Sequence, residues 1–242
     1  MLTTVGDSSW VADKHGEGTP RVIALHGWGR TGADFATILK GHAGLAVHLP
    51  GFGPASPPPT AWTTADYAAN LASALGNTPP VVVVGHSFGG RIAVRFAAQF
   101  PHLVSHLVLT GVPLTRLKPA SKPKLAFRVI RALRTVGFVP EAVLERAREK
   151  YGSADYRSAQ GVMREILVRA VTEDYLDDAK KVMAPVTLVW GENDRPAPLE
   201  VARKALEFFP HATLRVVSGA SHLMEGNLER EVASAVADAL NP

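Results

Sequence analysis

Residues 81–90 read Val-Val-Val-Val-Gly-His-Ser-Phe-Gly-Gly, and this stretch decides the fold. Four consecutive valines are typical of a strand that is buried on both faces of a parallel sheet. The amphipathic run of residues 89–100 predicts a helix directly afterwards. Small glycines before and after Ser87 permit a very sharp turn between the two elements. This is the strand–turn–helix context that the G-x-S-x-G pattern of nucleophilic serines requires.

The rest of the chain continues this alternation of short apolar runs and amphipathic runs. Strands are predicted at residues 22–25, 45–48, 81–84, 107–110, 186–190 and 214–217. Helices are predicted at residues 64–75, 89–100, 199–208 and 228–240. Such a βαβ series predicts an α/β fold built on a doubly wound, mostly parallel sheet.

Composition excludes several classes of protein and site. The chain has 242 residues, of which 46% are hydrophobic and 20% charged, so a globular domain is expected and disorder is not. The absence of cysteine excludes disulfides, thiolate metal sites and a cysteine nucleophile. The net charge of +4 is too small to indicate nucleic-acid binding. Neither a signal peptide nor an apolar run of roughly 20 residues is apparent, so a cytoplasmic location is expected.

Residues 113–183 interrupt the alternation because they contain only helical patterns. These patterns cover residues 124–136, 140–151, 155–171 and 174–183. We expect residues 1–112 and 184–242 to form the core domain, with residues 113–183 inserted after the sixth strand as a helical cap, or lid. Ligands of doubly wound sheets bind at the carboxyl edge, so the lid is expected to cover that edge. The alternative is a long helical crossover with no role of its own.

A second motif, Leu25-His26-Gly27-Trp28-Gly29, also follows a predicted strand. A loop that leaves the sheet here can aim a backbone N–H at a reacting carbonyl. The N–H groups of Trp28 and Phe88 are therefore candidates for an oxyanion hole beside Ser87. The Trp28 side chain either lines the substrate pocket or packs in the core.

Taken together, the serine turn and the His-Gly-Trp-Gly loop resemble the α/β-hydrolase family, in particular its small esterases. The resemblance extends from about residue 10 to residue 240 and is weak in the inserted segment. It implies a serine nucleophile followed in the chain by an acid and then a histidine. Asp194 matches the family's acid, with Glu192 as the second choice. The family's other acid position, after the sixth strand, holds no carboxylate at residues 110–113.

The resemblance assigns His222, which follows the last predicted strand, as the catalytic base. His26 and His86 belong to the two motifs and are interpreted as structural. One departure is His48, which stands where the family usually has Asp in the Leu-Pro-Gly-Phe-Gly loop of residues 49–53. Ala55 likewise replaces a common serine. Neither change is expected to abolish catalysis.

These residues predict a serine hydrolase that cleaves carboxylic esters through an acyl-enzyme. No metal or organic cofactor is implied. Alternatives within the same fold are carbon–carbon bond hydrolysis and perhydrolase or hydroxynitrile lyase-like chemistry. A ligand sensor that retains the triad but turns over poorly is a further alternative. The sequence indicates neither the acyl and alcohol preference nor the oligomeric state.

Positive charge is concentrated in the insertion. Residues 113–181 carry 15 Lys or Arg and 9 Asp or Glu, whereas the rest of the chain carries 11 and 13. Seven of the basic residues occur with no carboxylate between them: Arg116, Lys118, Lys122, Lys124, Arg128, Arg131 and Arg134. A solvated helix face explains them, but an acidic partner such as acyl carrier protein, an anionic lipid surface, or direct contact with an anionic substrate would also fit. Trp28, Phe127, Phe138 and Leu223 are candidates for the substrate pocket.

Overall fold

A computed structural model describes residues 1–6, 10–117, 140, 143 and 154–241. In this part of the chain, one sheet contains eight strands in the order β1-β2-β4-β3-β5-β6-β7-β8. The strands are β1 (Leu2–Thr4), β2 (Val11–His15), β3 (Val22–Leu25), β4 (Gly44–His48), β5 (Val81–His86), β6 (Val104–Thr110), β7 (Val186–Gly191) and β8 (Ala212–Val217). Strands β3 to β8 pair in parallel, which confirms the predicted α/β fold with a mostly parallel sheet.

Strands β1 and β2 were not predicted from the sequence. They pair antiparallel with each other, and β2 pairs antiparallel with β4. In β2 only Ala12 is fully buried, and Asp13, Lys14 and His15 interrupt any apolar run. An edge of the sheet that faces solvent lacks the continuous valine-type signal of a doubly covered strand.

Helices cover both faces of the sheet. They are α1 (Thr64–Leu75), α2 (Ser87–Gln99), α3 (Ala154–Ser158), α4 (Gly161–Ala170), α5 (Leu176–Ala179), α6 (Leu199–Leu206) and α7 (Gly226–Leu240). Two apolar clusters result, one on each face. The first includes Tyr67, Ile92, Phe96 and Val201, and the second includes Phe35, Ile38, Val232 and Val236. No helix in the described residues is long and apolar enough to cross a membrane.

The inserted segment differs in detail from its helical patterns. The expected helix at 155–171 is two helices, because α3 ends at Ser158 and α4 begins at Gly161, whose φ is +50°. Such a φ suits glycine and interrupts a regular helix. The expected helix at 174–183 is reduced to α5. The helices expected at 124–136 and 140–151 fall outside the described residues, apart from positions 140 and 143.

The described end of this segment packs on the core. Ile166 and Ala170 of α4 and Ala179 of α5 are buried in the same cluster as α2. The parallel strands β3, β5, β6, β7 and β8 all point their carboxyl ends to one edge of the sheet. The loops that follow these strands therefore meet at that edge, beneath α4.

Candidate active site

Ser87 occupies the turn between β5 and α2 in a strained conformation. Its φ of +50° is the one positive value found for a non-glycine residue in the described part of the chain. The helix approaches the strands so closely that a Cβ at Gly85 would lie 2.5 Å from the Gly90 Cα. A Cβ at Gly89 would strike the carbonyl oxygens of Leu25 and His26. The glycines therefore permit the sharp turn that places the Ser87 hydroxyl above the sheet.

His222 lies in the loop after β8, and its side chain reaches Ser87. Its Nε2 is 3.2 Å from Ser87 Oγ, and its Nδ1 is 2.8 Å from Asp194 Oδ2 and 3.0 Å from Oδ1. A carboxylate accepts only, so Nδ1–H donates to Asp194 and Nε2 is free to accept the serine proton. The structure thus brings together Ser87, Asp194 and His222, which the sequence places in three separate loops.

Asp194 is held in its turn by the backbone that follows it. Its Oδ1 also accepts the Ala197 N–H at 2.8 Å, and the Ala197 carbonyl accepts the Trp190 indole N–H at 2.7 Å. The Asp194 side chain is only 1% exposed. Burial with three hydrogen bonds fixes the orientation of this carboxylate toward His222.

Glu192, the second choice for the acid, has a different set of partners. Its Oε2 accepts the Gly219 N–H at 3.0 Å and the Ser218 hydroxyl at 2.8 Å. The Gly219 bond first, and then the Ser218 bond, lower the pKa of Glu192. Backbone bonds join the same two loops, from Glu192 N–H to the Val217 carbonyl and from Asn193 N–H to the Ala220 carbonyl. Glu192 therefore braces the histidine loop against the acid loop.

The His26 side chain anchors the loop after β3. Its Nδ1–H donates to the Gly27 carbonyl at 2.8 Å, and its Nε2 accepts the Leu49 N–H at 3.0 Å. Because a trans peptide points its C=O and N–H in opposite directions, an anchored Gly27 carbonyl fixes the direction of the Trp28 N–H. Burial lowers the pKa of His26 to about 4, so the ring is neutral.

The two candidate oxyanion donors flank Ser87. A Cβ on Gly27 would lie 3.4 Å from the Ser87 Cβ, so the Gly27–Trp28 peptide runs beside the serine. Phe88 is the second residue of α2. Its N–H is among the four that an α-helix leaves without an internal acceptor. Both residues are therefore close to Ser87, and their N–H groups stay candidates for an oxyanion hole.

His86 connects the serine turn to the histidine loop. Its Nε2–H donates to the His222 carbonyl at 3.0 Å, and the two rings are 5.0 Å apart between centroids. Burial, reinforced by the nearby His222, lowers the pKa of His86 to about 4. A neutral ring therefore stands next to His222, as its structural interpretation requires.

His48, which replaces the family's usual Asp, has two partners. Its Nδ1 accepts the Gly32 N–H at 3.3 Å, so its Nε2–H donates to Asp13 at 3.0 Å. The carboxylate of Asp13, on β2, thus lies next to the residue that stands where the family usually has an aspartate. Both ring nitrogens of His48 therefore have a hydrogen-bond partner.

A cavity of about 280 Å³ opens above Ser87. Trp28 and Leu223, both candidates from the sequence, line it. Trp28 also packs edge-on against Phe52 and Phe88, so its side chain serves pocket and core together. The other two candidates, Phe127 and Phe138, lie outside the described residues, as does the basic run from Lys118 to Arg134. Capture of an acidic partner by that run stays a prediction.

Other residues that line the cavity were not predicted from the sequence. They include Arg30, Arg91, Pro113, Ala170 and Val171. Of these, Arg91 had a usable signal, because residues four apart on a helix share one face and Arg91 is four residues after Ser87. Ala170 and Val171 carried no comparable signal, since their place above the site depends on how α4 packs.

Gly111, at the carboxyl end of β6, lies beside the acid and the histidine. Its φ is +59°, and a Cβ there would lie 3.0 Å from the His222 ring and 3.1 Å from Asp194 Oδ2. Gly111 lies within residues 110–113, the stretch after the sixth strand in which the resemblance expects the family's other acid position. The glycine leaves the space for His222 and Asp194 to meet.

The family model described as "Alpha/beta hydrolase family" matches residues 22–238. The pimeloyl-[acyl-carrier protein] methyl ester esterase of Chromobacterium violaceum is 31% identical, over 91% of this chain and 94% of that protein.

Two solved structures share the fold at lower identity. An esterase from Exiguobacterium antarcticum superposes with a TM-score of 0.72 at 19% identity, covering 96% of each chain. A meta-cleavage product hydrolase from Pseudomonas fluorescens IP01 superposes with a TM-score of 0.67 at 21% identity, covering 99% of this chain and 96% of that one. At these identities the likeness establishes the shared fold.

Proposed function

Because the chain belongs to the alpha/beta hydrolase family, we propose that it is a serine hydrolase that cleaves carboxylic esters. The observation that carries the proposal is the hydrogen-bonded line from Ser87 Oγ to His222 Nε2 and from His222 Nδ1 to Asp194. A nucleophile within reach of a base, itself oriented by a buried acid, is the signature of acyl transfer. The esterase from Chromobacterium violaceum, which aligns over nearly the whole chain, supports an ester as substrate.

In the first half of the reaction, His222 takes the hydroxyl proton as Ser87 Oγ attacks the ester carbonyl. Asp194 holds the imidazole in the required tautomer and stabilises the imidazolium that forms. The neutral His86 ring next to it adds no second positive charge. His222 then gives the proton to the departing alcohol, which leaves an acyl group on Ser87.

The Trp28 and Phe88 N–H groups receive the negative charge of the tetrahedral intermediate. Loss of one such donor typically costs about 2.7–4 kcal/mol of transition-state stabilisation. His26 acts on this step indirectly, because it positions the Gly27–Trp28 peptide. In the second half, water attacks the acyl-enzyme with His222 again as base, and the free acid leaves.

The proposal also gives a role to the cap, residues 113–183. Leu167, Ala170 and Val171, from the end of α4, line the cavity above Ser87. Their position supports a role for residues 113–183 in covering the site and in selecting the acyl group. The chain length that fits depends on side chains in this segment.

The test is hydrolysis of p-nitrophenyl acetate and longer acyl esters by wild type and Ser87→Ala. We expect kcat to fall by at least about 10⁴-fold in the variant, because the nucleophile is lost while the binding groups remain. A fluorophosphonate probe should label wild type and not the variant. Equal, slow product release by both proteins would refute the esterase proposal.

Further arms of the assay separate the alternatives. Labelling of Ser87 without turnover of any ester would favour a ligand sensor. Cleavage of a β-diketone in preference to matched esters would favour a carbon–carbon bond hydrolase, which the same three residues support. Peracid formation from acetate and hydrogen peroxide would identify a perhydrolase.

A further inference from the structure

Arg91 lies one helical turn after Ser87 on α2 and lines the cavity above it. Residues at this spacing have Cβ atoms about 5–6 Å apart on one helix face. Its Nη1–H donates to the Ala170 carbonyl at 2.5 Å, and its guanidinium carbon lies 5.7 Å from the centre of the Tyr175 ring. Its Nε is buried and has no hydrogen-bond partner among the described residues. The guanidinium thus retains hydrogen-bonding capacity.

The charge of Arg91 also lacks a close counter-ion. Among the residues that the structure describes, no carboxylate oxygen lies within 4.0 Å of its guanidinium. Arg95, the next arginine along α2, differs because its guanidinium lies 2.6 Å from Asp178 and 3.8 Å from Glu173. Glu173 also accepts hydrogen bonds from the hydroxyls of Thr64 and Tyr175. The nearby carboxylates are therefore committed to other groups.

The other arginine of the cavity provides the opposite case. Arg30 forms two hydrogen bonds to Asp34, at 2.8 and 2.7 Å, and its side chain is half exposed. Asp155 is the carboxylate on the described lining, and it is exposed. Two arginines thus line one cavity, one neutralised by its own partner and one not.

Burial lowers the pKa of Arg91, while the nearby Tyr175 and Glu173 raise it. A partly buried cation with no carboxylate in direct contact is unfavourable. A ligand that brings an anion to this point offsets that cost with charge-assisted hydrogen bonds. Leu167, Ala170 and Val171 line the same cavity, so the part of the ligand between anion and ester is apolar.

We propose that the cavity takes esters bearing a carboxylate a few carbons from the scissile carbonyl, and that Arg91 binds this carboxylate. The inference rests on the proposed esterase function and names its substrate class. A monoester of a short dicarboxylic acid has the required chemistry. Its ester carbonyl reaches Ser87 while its free carboxylate contacts the Arg91 guanidinium.

A purely structural role is the competing explanation. The bond from Arg91 to the Ala170 carbonyl ties the last turn of α4 to α2, and a cation at a helix C-terminus is favourable. If this were its whole role, replacing Arg91 would affect charged and neutral esters alike. A difference between the two kinds of ester is therefore the readout that separates the explanations.

The experiment compares monoethyl esters of succinate, glutarate and adipate with ethyl butyrate, valerate and hexanoate, by release of ethanol. We expect wild type to prefer the charged ester for at least one chain length. In Arg91→Gln the ratio of kcat/KM, charged over neutral, should fall by about 10- to 100-fold, mainly through KM. Arg91→Lys should retain part of the preference, because it keeps the charge but not the planar fork.

Arg30→Gln is the matched control, since it removes an arginine of the same cavity that already has a partner. It should keep the ratio of wild type, and collapse of the ratio in Arg30→Gln would overturn the assignment to Arg91. A wild type without preference for any charged ester, or an equal loss for both series in Arg91→Gln, would also overturn it. Neutral-ester turnover that depends on Ser87 shows in the same samples whether the esterase proposal itself holds.

Binding measured without turnover keeps the test independent of catalysis and of the folding of the variants. Hexanoate should bind wild type, by calorimetry, at least about tenfold more tightly than hexanamide does. Equal binding of the acid and the amide to wild type would refute the inference, whether or not esters are hydrolysed.

Discussion

The serine turn and the paired acid and histidine loops reach the same point above the sheet by different physical means. At the turn, the position of Ser87 results from close backbone contact, with Gly85 against Gly90 and Gly89 against the carbonyls that end β3. The loops after β7 and β8 are positioned by hydrogen bonds, from the Ala197 N–H to Asp194 and from the Gly219 N–H to Glu192.

The difference teaches which kind of change each region tolerates. A site built on close backbone contact fails when volume is added, because packed interiors have no spare space. A site built on hydrogen bonds tolerates an isosteric substitution with little loss of stability. It loses, however, the chemistry that the hydrogen bonds control. We therefore expect substitutions in the two regions to separate stability from activity.

The largest effect is expected in the loops, on activity alone. Asp194→Asn keeps the shape of the side chain but presents an amide, which favours the wrong tautomer of His222. We expect kcat to fall by about 10⁴-fold, by analogy with the aspartate-to-asparagine change in serine proteases. Thermal unfolding should move little. A variant that is less stable, but whose folded molecules keep full activity, would contradict this separation of activity from stability.

A loss of stability is expected at the turn. Gly89→Ala places a methyl group against the Leu25 and His26 carbonyls, which are backbone atoms and cannot move aside. Overpacking of this kind costs about 3 kcal/mol. Urea unfolding should show a lower midpoint for the variant.

The matched control is Gly27→Ala, where the added Cβ meets the His86 ring, a side chain, at 3.0 Å. Its stability should fall less than that of Gly89→Ala. Equal loss of stability in the two variants would show that backbone contact is not what distinguishes the turn.

Low pH should lower the stability of the fold through His26 and His86, which lie on the serine side of the site. Burial lowers both pKa values from 6.5 to about 4, so between these values the unfolded chain binds protons that the folded chain does not. Stability is therefore complete above about pH 6.5 and is lost as the pH falls toward 4. At pH 5 the loss is about 2 kcal/mol for each histidine.

The urea midpoints of wild type and His86→Gln, measured from pH 7.5 down to pH 4.5, show how much of this loss of stability is due to His86. The variant should start less stable and decline less steeply. Parallel declines would show that His86 is not held neutral by the fold.

The smallest effect is expected at Glu192, the carboxylate that braces the two loops. Glu192→Gln keeps an oxygen acceptor for Gly219 and Ser218, and the side chain is exposed. Surface substitutions usually change the free energy of unfolding by no more than about 0.5 kcal/mol, and we expect a similarly small effect on the barrier, with kcat changed by less than about threefold. A loss comparable to that of Asp194→Asn would mean that Glu192 takes part in the chemistry.

The centre of the molecule could be predicted because its signals are local. The four valines of β5 and the glycines around Ser87 stand next to one another in the chain, and the strand begins at Val81 as expected. The strand nevertheless continues to His86, since pairing with Thr110 of β6 extends it, and sequence alone does not show that pairing.

The periphery could not be predicted, because its signals arise from packing. Strand β2 has polar residues at its last three positions and only one fully buried residue, so its sequence looks like that of a loop. Without β2, the bond between Asp13 and His48 could not be foreseen, since 35 positions separate the two residues. The contact between Arg91 and Ala170 likewise depends on where α4 lies.

Gly111 has a consequence for the charge of the site as well as for its space. A Cβ there would lie 3.0 Å from the His222 ring and 3.1 Å from Asp194 Oδ2, and aspartate is among the few residues that tolerate a positive φ. An aspartate at this position would place a second carboxyl beside Asp194, and of two carboxyls so close together one keeps its proton. The glycine therefore leaves Asp194 without a second acid at this position with which it would share a proton.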